Sequence, residues 1–135
     1  MSDCIFCKII AGDIPSLKVY EDESVLAFLD IRPVHPGHTL VIPKEHSKNI
    51  FDVSEGAWAA VQKAVRMLAV AIEKGVGADG VNINMNNRPD AGQLVDHTHV
   101  HIIPRIKGDG LKLWPQRPYQ EGEADRVAEK IRKAL

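Results

Sequence analysis

The sequence predicts an α+β fold: a mostly antiparallel, five-stranded sheet carrying one long helix, with short helices at the two ends. Three observations point there. Trp58, Val61, Val65, Leu68, Ala69 and Ile72 recur at helical intervals and draw one apolar stripe. Five short segments elsewhere are rich in β-branched residues, several alternating apolar with polar. Gly, Pro, Asn and Asp separate them, so the strands are joined largely by hairpin turns. At 135 residues the chain suffices for one domain with a real core and is short for two.

In chain order, residues 4–10 mix apolar positions with Lys8 and contain no breaker; this is a short helix that Gly12 caps. Pro15 forces extension. Residues 17–20 and 24–29 are strands about the acidic turn 21–23, and the two prolines and glycine of 32–37 make a loop. Residues 38–43 form a central strand that Pro43 ends. Residues 44–51 lead by a loop into the long helix, with Ser54 as N-cap, Glu55 in the first turn, and Lys74 and Gly75 marking the exit. A strand over 80–85 and a polar turn over 86–93 follow. Residues 96–105 read as a strand in which His97, His99 and His101 share an outer face while Thr98, Val100 and Ile102 face the core. Residues 108–122 are irregular. Val127, Ile131 and Leu135 give 123–135 the spacing of an amphipathic terminal helix.

Composition narrows the function classes. The chain is 44% apolar and 26% charged with net charge −1, so no basic surface calls for nucleic acid. No apolar run approaches a membrane span and no signal pattern opens the chain, so the expected location is the cytoplasm. In that compartment the C-x-x-C pair Cys4 and Cys7 suggests metal or redox chemistry rather than a disulfide. Three imidazoles on one strand face can act as nucleophile, acid/base or metal ligand near neutral pH.

The run His97-Thr98-His99-Val100-His101-Ile102-Ile103 resembles the signature of the histidine triad family, His-φ-His-φ-His-φ-φ with φ apolar, Thr98 being a mild departure. The likeness extends through Ile5-Phe6, Ala27 to Ile31, Pro36 to Lys44, and Asn86 with Ala91-Gly92-Gln93. It covers roughly residues 4–107, so the chain is expected to be a single domain of that family over 1–135 with a core of 4–107.

The resemblance implies a purine nucleotide substrate and cleavage of a nucleoside monophosphate from its leaving group through a nucleotidyl-histidine intermediate. His99 takes the nucleophile's place. His101 bonds phosphate oxygens and helps protonate the leaving group, and His97 completes the triad. Asn86 and Gln93 match phosphate-contacting amides, and Gly92 lets the backbone approach the phosphate. Asp30 accepts the ribose hydroxyls, while Phe6, Phe28, Ile31 and Leu40, with Ile5 and Ile9, line the base slot. Zinc-containing members carry ligands matching Cys4, Cys7, His46 and His97. Four protein ligands leave no open position, which implies a structural zinc. His38 supports the triad as an acceptor for His97, and His35 is solvated.

His101 stands where the uridylyltransferase branch has Gln, favouring hydrolysis. Residues 89–93 and 104–109 look like the dinucleoside polyphosphate hydrolases; Asn86 and the Phe28 to Ile31 region look like the adenosine phosphoramidases; Leu94 departs from both. A broad purine nucleoside monophosphate hydrolase is expected. The alternatives are a nucleotide-binding regulatory module with little turnover and a zinc hydrolase built on the three triad histidines. The family's two-fold dimers imply a homodimer here.

Overall fold

The computed structural model describes residues 3–135. Helix α1 (Ile5–Ala11) opens it, followed by β1 (Lys18–Glu21), β2 (Val25–Leu29), β3 (Thr39–Pro43), α2 (Glu55–Val76), β4 (Gly80–Asn84), a 3-10 turn (Pro89–Ala91), β5 (Val100–Arg105) and α3 (Glu123–Ala134). The five strands form one sheet in the order β1-β2-β3-β5-β4, with every neighbouring pair antiparallel. Only part of the hairpin expectation holds: α2 carries the chain from β3 past the sheet to edge strand β4, and β5 then returns between them.

Two apolar layers sandwich the sheet. Val61, Ala64, Val65 and Leu68 of α2 bury against Val25, Ala27, Val41, Val100 and Ile102. On the opposite face Phe6 and Ile9 of α1 pack on Leu26, Phe28, Leu40 and Ile42. Alternation along β2 and β3 thus sends successive apolar side chains to different layers, and neither strand has a solvent face. Each of the larger of these side chains contributes about 1.5–3 kcal/mol by leaving water.

The starts of α1 and α2 each use a side chain. Ser54 Oγ accepts the Ala57 N–H at 3.2 Å, and Cys4 Sγ accepts the Cys7 N–H at 3.4 Å. Gly12 ends α1 in the left-handed region, as expected. The end of α2 differs slightly: the helix continues through Gly75, and Gly77 (φ 66°) is the residue that caps it. Among the described residues no helix is long and apolar enough to cross a membrane.

The larger departure concerns the histidine segment. Its strand begins at Val100, not at residue 96. Residues 97–99 have no strand partner; they are tied to the 44–53 loop, where the Thr98 N–H donates to the Ser47 carbonyl at 2.8 Å and the two hydroxyls meet at 2.7 Å. Nor is the histidine face solvated. His97 and His99 are buried, because α1 lies over them with the Phe6 ring edge-on to both.

Candidate active site

His99 sits between two groups of polar side chains. On one side Cys4, Cys7, His46 and His97 bring four ligand atoms within 4.8 Å of one another. Cys4 and Cys7 come from the start of α1, His46 from the loop after β3, and His97 from the approach to β5. The Cys4 Sγ–His97 Nδ1 distance is 3.4 Å, Cys7 Sγ–His46 Nδ1 3.4 Å, Cys7 Sγ–His97 Nδ1 3.6 Å and His46 Nδ1–His97 Nδ1 3.2 Å. A tetrahedral zinc with ordinary bond lengths needs about 3.5 Å between sulfur and nitrogen and about 3.3 Å between two nitrogens. The donor set therefore fits that ion in both chemistry and spacing. His97 is also in the right tautomer: its Nε2 lies 2.8 Å from the Pro43 carbonyl, which can only accept, so Nδ1 keeps its lone pair for the cluster. Pro43, not His38, is thus the acceptor behind His97.

His38 instead faces His101. The Val34 N–H donates to His38 Nδ1 at 3.1 Å, which puts the proton of a neutral ring on Nε2. That Nε2–H points at His101 Nδ1, 2.9 Å away, so neutral His101 carries its own proton on Nε2. Burial lowers the pKa of His38, against the pull of Asp30; burial also lowers His101, with help from His99 and His38, to about 4. Asp30 adjoins this relay: its Oδ2 is 3.7 Å from His38 Nε2, its Oδ1 accepts the Arg32 N–H at 2.8 Å, and its own N–H donates to the His38 carbonyl at 2.9 Å.

His99 Nδ1 lies 2.7 Å from the His97 carbonyl. It must donate there, so Nε2 keeps its lone pair. Burial pushes the ring's pKa down, more than that hydrogen bond and Asp30 raise it, and keeps the ring neutral. His97 therefore serves two neighbours: its ring belongs to the cysteine cluster and its carbonyl orients His99.

The residues expected to hold a nucleotide divide. Phe6, Phe28 and Leu40 form one apolar wall beside His99, with Ile9 behind them and the Phe6 and Phe28 rings 5.5 Å apart. Ile31 is not in that wall; it is 93% exposed on the following loop, and Ile5 is half exposed. Asn86 and Gly92 lie together, with the Asn86 Nδ2 donating over 3.4 Å to the Gly92 carbonyl and Gly92 at φ 90°. Gln93 is placed otherwise than expected. Its Nε2 donates to the Lys48 and Val95 carbonyls at 2.6 and 2.9 Å; its Oε1 accepts from the Arg88 N–H and Asn49 Nδ2 at 2.7 and 3.2 Å. All four positions of this buried amide are engaged in holding two loops together, leaving none for a phosphate. His35 is intermediate in exposure, its Nδ1 donating to the Pro36 carbonyl at 2.9 Å. Sequence reasoning missed the Pro43 carbonyl and the Val34 amide, because backbone groups carry no residue-type signal. The Ser47–Thr98 hydroxyl pair did leave one: Thr98 occupies an apolar position of the triad pattern.

A buried, neutral histidine flanked by a cysteine–histidine cluster and a two-histidine relay, on an antiparallel sheet, defines a histidine-triad type of site. The comparisons agree. Residues 11–108 match the family model described as the HIT domain, and the chain belongs to that family. It is 48% identical over 137 residues to Protein hit of Bacillus subtilis, covering 98% of this chain and 94% of that one. It is 42% identical over 130 residues to an adenosine 5'-monophosphoramidase of Schizosaccharomyces pombe, covering 95% of each. Among solved structures, a Streptococcus mutans protein superposes with TM-score 0.93 at 47% identity, covering 99% of this chain and 86% of that one. A zinc-bound histidine triad protein from Mycobacterium smegmatis does so with TM-score 0.79 at 38% identity, covering 99% of each.

Proposed function

We propose that this chain is a nucleotide hydrolase that releases a nucleoside 5'-monophosphate, of the AMP or GMP type, by way of a covalent bond to His99. The observation that carries the reading is the protonation pattern. His97 holds the proton on His99 Nδ1, which leaves Nε2 as a lone-pair donor, while the Val34–His38 chain leaves His101 Nε2 as a proton donor beside it, the two rings 5.1 Å apart. In the first step His99 Nε2 bonds to phosphorus and the bond to the leaving group breaks, its electron pair departing with that group as His101 Nε2–H supplies a proton. In the second, water gives a proton back to His101 Nε2 as its oxygen bonds to phosphorus, the phosphorus–nitrogen bond breaks, and its pair returns to His99.

Phe6, Phe28 and Leu40 would receive the base, Asp30 the ribose hydroxyls, and Asn86 and Gly92 the phosphate. Phosphoramidates are the preferred substrates in this proposal, in keeping with the activity named for the fission yeast relative. Cys4, Cys7, His46 and His97 would hold a zinc that supplies no reactive position. It would brace α1 against the two loops that carry His46 and His97. A second copy of the chain would complete a homodimer. Supporting this, Trp58, Val65, Ala69, Val70 and Ile83 line an apolar groove of about 480 Å³ between α2 and edge strand β4. A monomeric mass by light scattering at micromolar concentration would reject that part.

The reading is tested with purified protein and adenosine 5'-phosphoramidate, following AMP by chromatography. Multiple turnovers are expected. Tight AMP binding without turnover would favour a nucleotide-binding regulatory module instead.

A further inference from the structure

Among the described residues Arg88 alone, apart from glycines, has a positive φ. Its φ of 78° and ψ of 155° lie in a region open to glycine and costly for any residue with a Cβ. Pro89 sharpens the conflict, because the residue before a proline is confined to extended backbone at negative φ. The local sequence thus opposes the conformation that Arg88 adopts, and contacts distant in the chain must hold it there.

Those contacts run to the 44–53 loop. Asn87 Oδ1 accepts the Ile50 N–H at 2.8 Å. The Arg88 N–H donates to Gln93 Oε1 at 2.7 Å, and the Arg88 carbonyl accepts the Ala91 and Gln93 N–H groups at 3.1 and 3.2 Å. Gln93 in turn grips the Lys48 carbonyl and the Asn49 amide. Last, the Arg88 guanidinium lies over the Phe51 ring, 4.0 Å from its centroid. Phe51 is itself 66% exposed, so this stack removes little apolar surface from water. What it contributes is a fixed direction for the Arg88 side chain, and with it a fixed backbone.

The strained residue stands in the chain between the two groups assigned to phosphate. Asn86 Nδ2 donates to the Gly92 carbonyl, and a Cβ on Gly92 would come 3.5 Å from that nitrogen. A return of Arg88 to negative φ would rotate Pro89–Gly92 away from Asn86. We infer that Arg88 is a positioning residue: its stack on Phe51 holds the 86–93 turn in a strained form that keeps Asn86 and Gly92 together for the phosphate. The inference rests on the hydrolase reading, in which those two groups meet the substrate. The loop that carries Phe51 also carries His46, so the cysteine–histidine cluster and the phosphate contacts share one brace.

The test measures kcat, KM and melting temperature on the full chain with adenosine 5'-phosphoramidate. Arg88→Gly and Arg88→Ala both lose the stack, but only glycine tolerates the backbone. Arg88→Gly is therefore expected to melt above Arg88→Ala, the reverse of the usual order. It is nevertheless expected to lower kcat about tenfold, with KM changed about twofold at most. Phe51→Ala should lower kcat by a similar factor, and the double variant should be no slower than Arg88→Gly, because both changes break one contact. Arg88→Lys, whose ammonium can also sit over the ring, should keep most of the rate. Equal melting of the glycine and alanine variants overturns the inference. So does wild-type kcat in Arg88→Gly, or a wild-type rate in Phe51→Ala beside a slow Arg88→Gly, which would put Arg88 on the substrate itself. Each of these leaves the hydrolase reading standing; a wild-type chain with no turnover overturns both.

Discussion

Histidines flank His99 on both sides, and the two groups use the same ring differently. His46 and His97 turn Nδ1 toward two sulfurs, and the four ligand atoms lie within 4.8 Å of one another. His38 and His101 instead meet nitrogen to nitrogen at 2.9 Å, donor to acceptor, in a line that ends in a free Nε2–H. The far side of each ring decides which it becomes. A carbonyl behind His97 forces the proton away from the cluster, and an amide behind His38 forces the proton toward His101. In the proposed mechanism the side holding the four ligand atoms is closed and static, and the side holding His38 and His101 moves a proton.

The comparison breaks first at its middle. His99→Ala is expected to lower kcat on the order of 10⁴-fold while zinc content, by plasma emission spectroscopy, stays at the wild-type level. Next, His101→Ala should cost about 10²- to 10³-fold in kcat, again with zinc retained. His97→Ala should do the reverse in kind, losing the metal and about 3 kcal/mol of stability in denaturant unfolding, since it strips a buried ligand and the partner of Pro43. Zinc loss in His101→Ala, or its retention in His97→Ala, would erase the division between the two groups.

A subtler difference lies in pH. His101 is depressed to about 4 from an ordinary value of 6.5 by burial and its two histidine neighbours, against the pull of Asp30. Between those values the unfolded chain takes up the proton more readily, so stability present above pH 6.5 is lost as pH falls toward 4. The melting temperature should drop across that window, and drop less in His101→Gln, whose metal ligands are the same. Equal drops would contradict the buried, neutral His101. The smallest expected effect is at Gly37, which has φ 104° and where a Cβ would come 2.8 Å from Val76 Cγ1 and 3.2 Å from Pro104 Cγ. Gly37→Ala should cost about 1–3 kcal/mol, measured by denaturant unfolding, and should perturb the relay carried by the adjoining His38 more than the metal cluster.

Much of this was readable beforehand where the signal is local. The stripe from Trp58 to Ile72 marks α2, Gly12 and Ser54 mark helix ends, and the run 38–43 that Pro43 ends marks a central strand. The cysteine–histidine group was legible because ligand chemistry is confined to few residue types. What needed the structure was non-local. The partner of His38 depends on β3 lying beside β5 in the register that pairs Leu40 with His101. The burial of the triad depends on α1 folding over it. Gln93 reads in sequence as a phosphate-contacting amide of the family it resembles, and only the approach of Lys48 and Asn49 shows it fully bonded elsewhere.

The central claim is that His99 Nε2, held unprotonated by the His97 carbonyl, bonds to nucleotide phosphorus. Rapid acid-free quenching during turnover of an adenylyl substrate, followed by peptide mass spectrometry, tests it directly. The account predicts an adenylyl group on His99 that appears and decays with turnover and is absent from His99→Gln. Turnover with no such adduct at any time, or with the adduct on another residue, would contradict it.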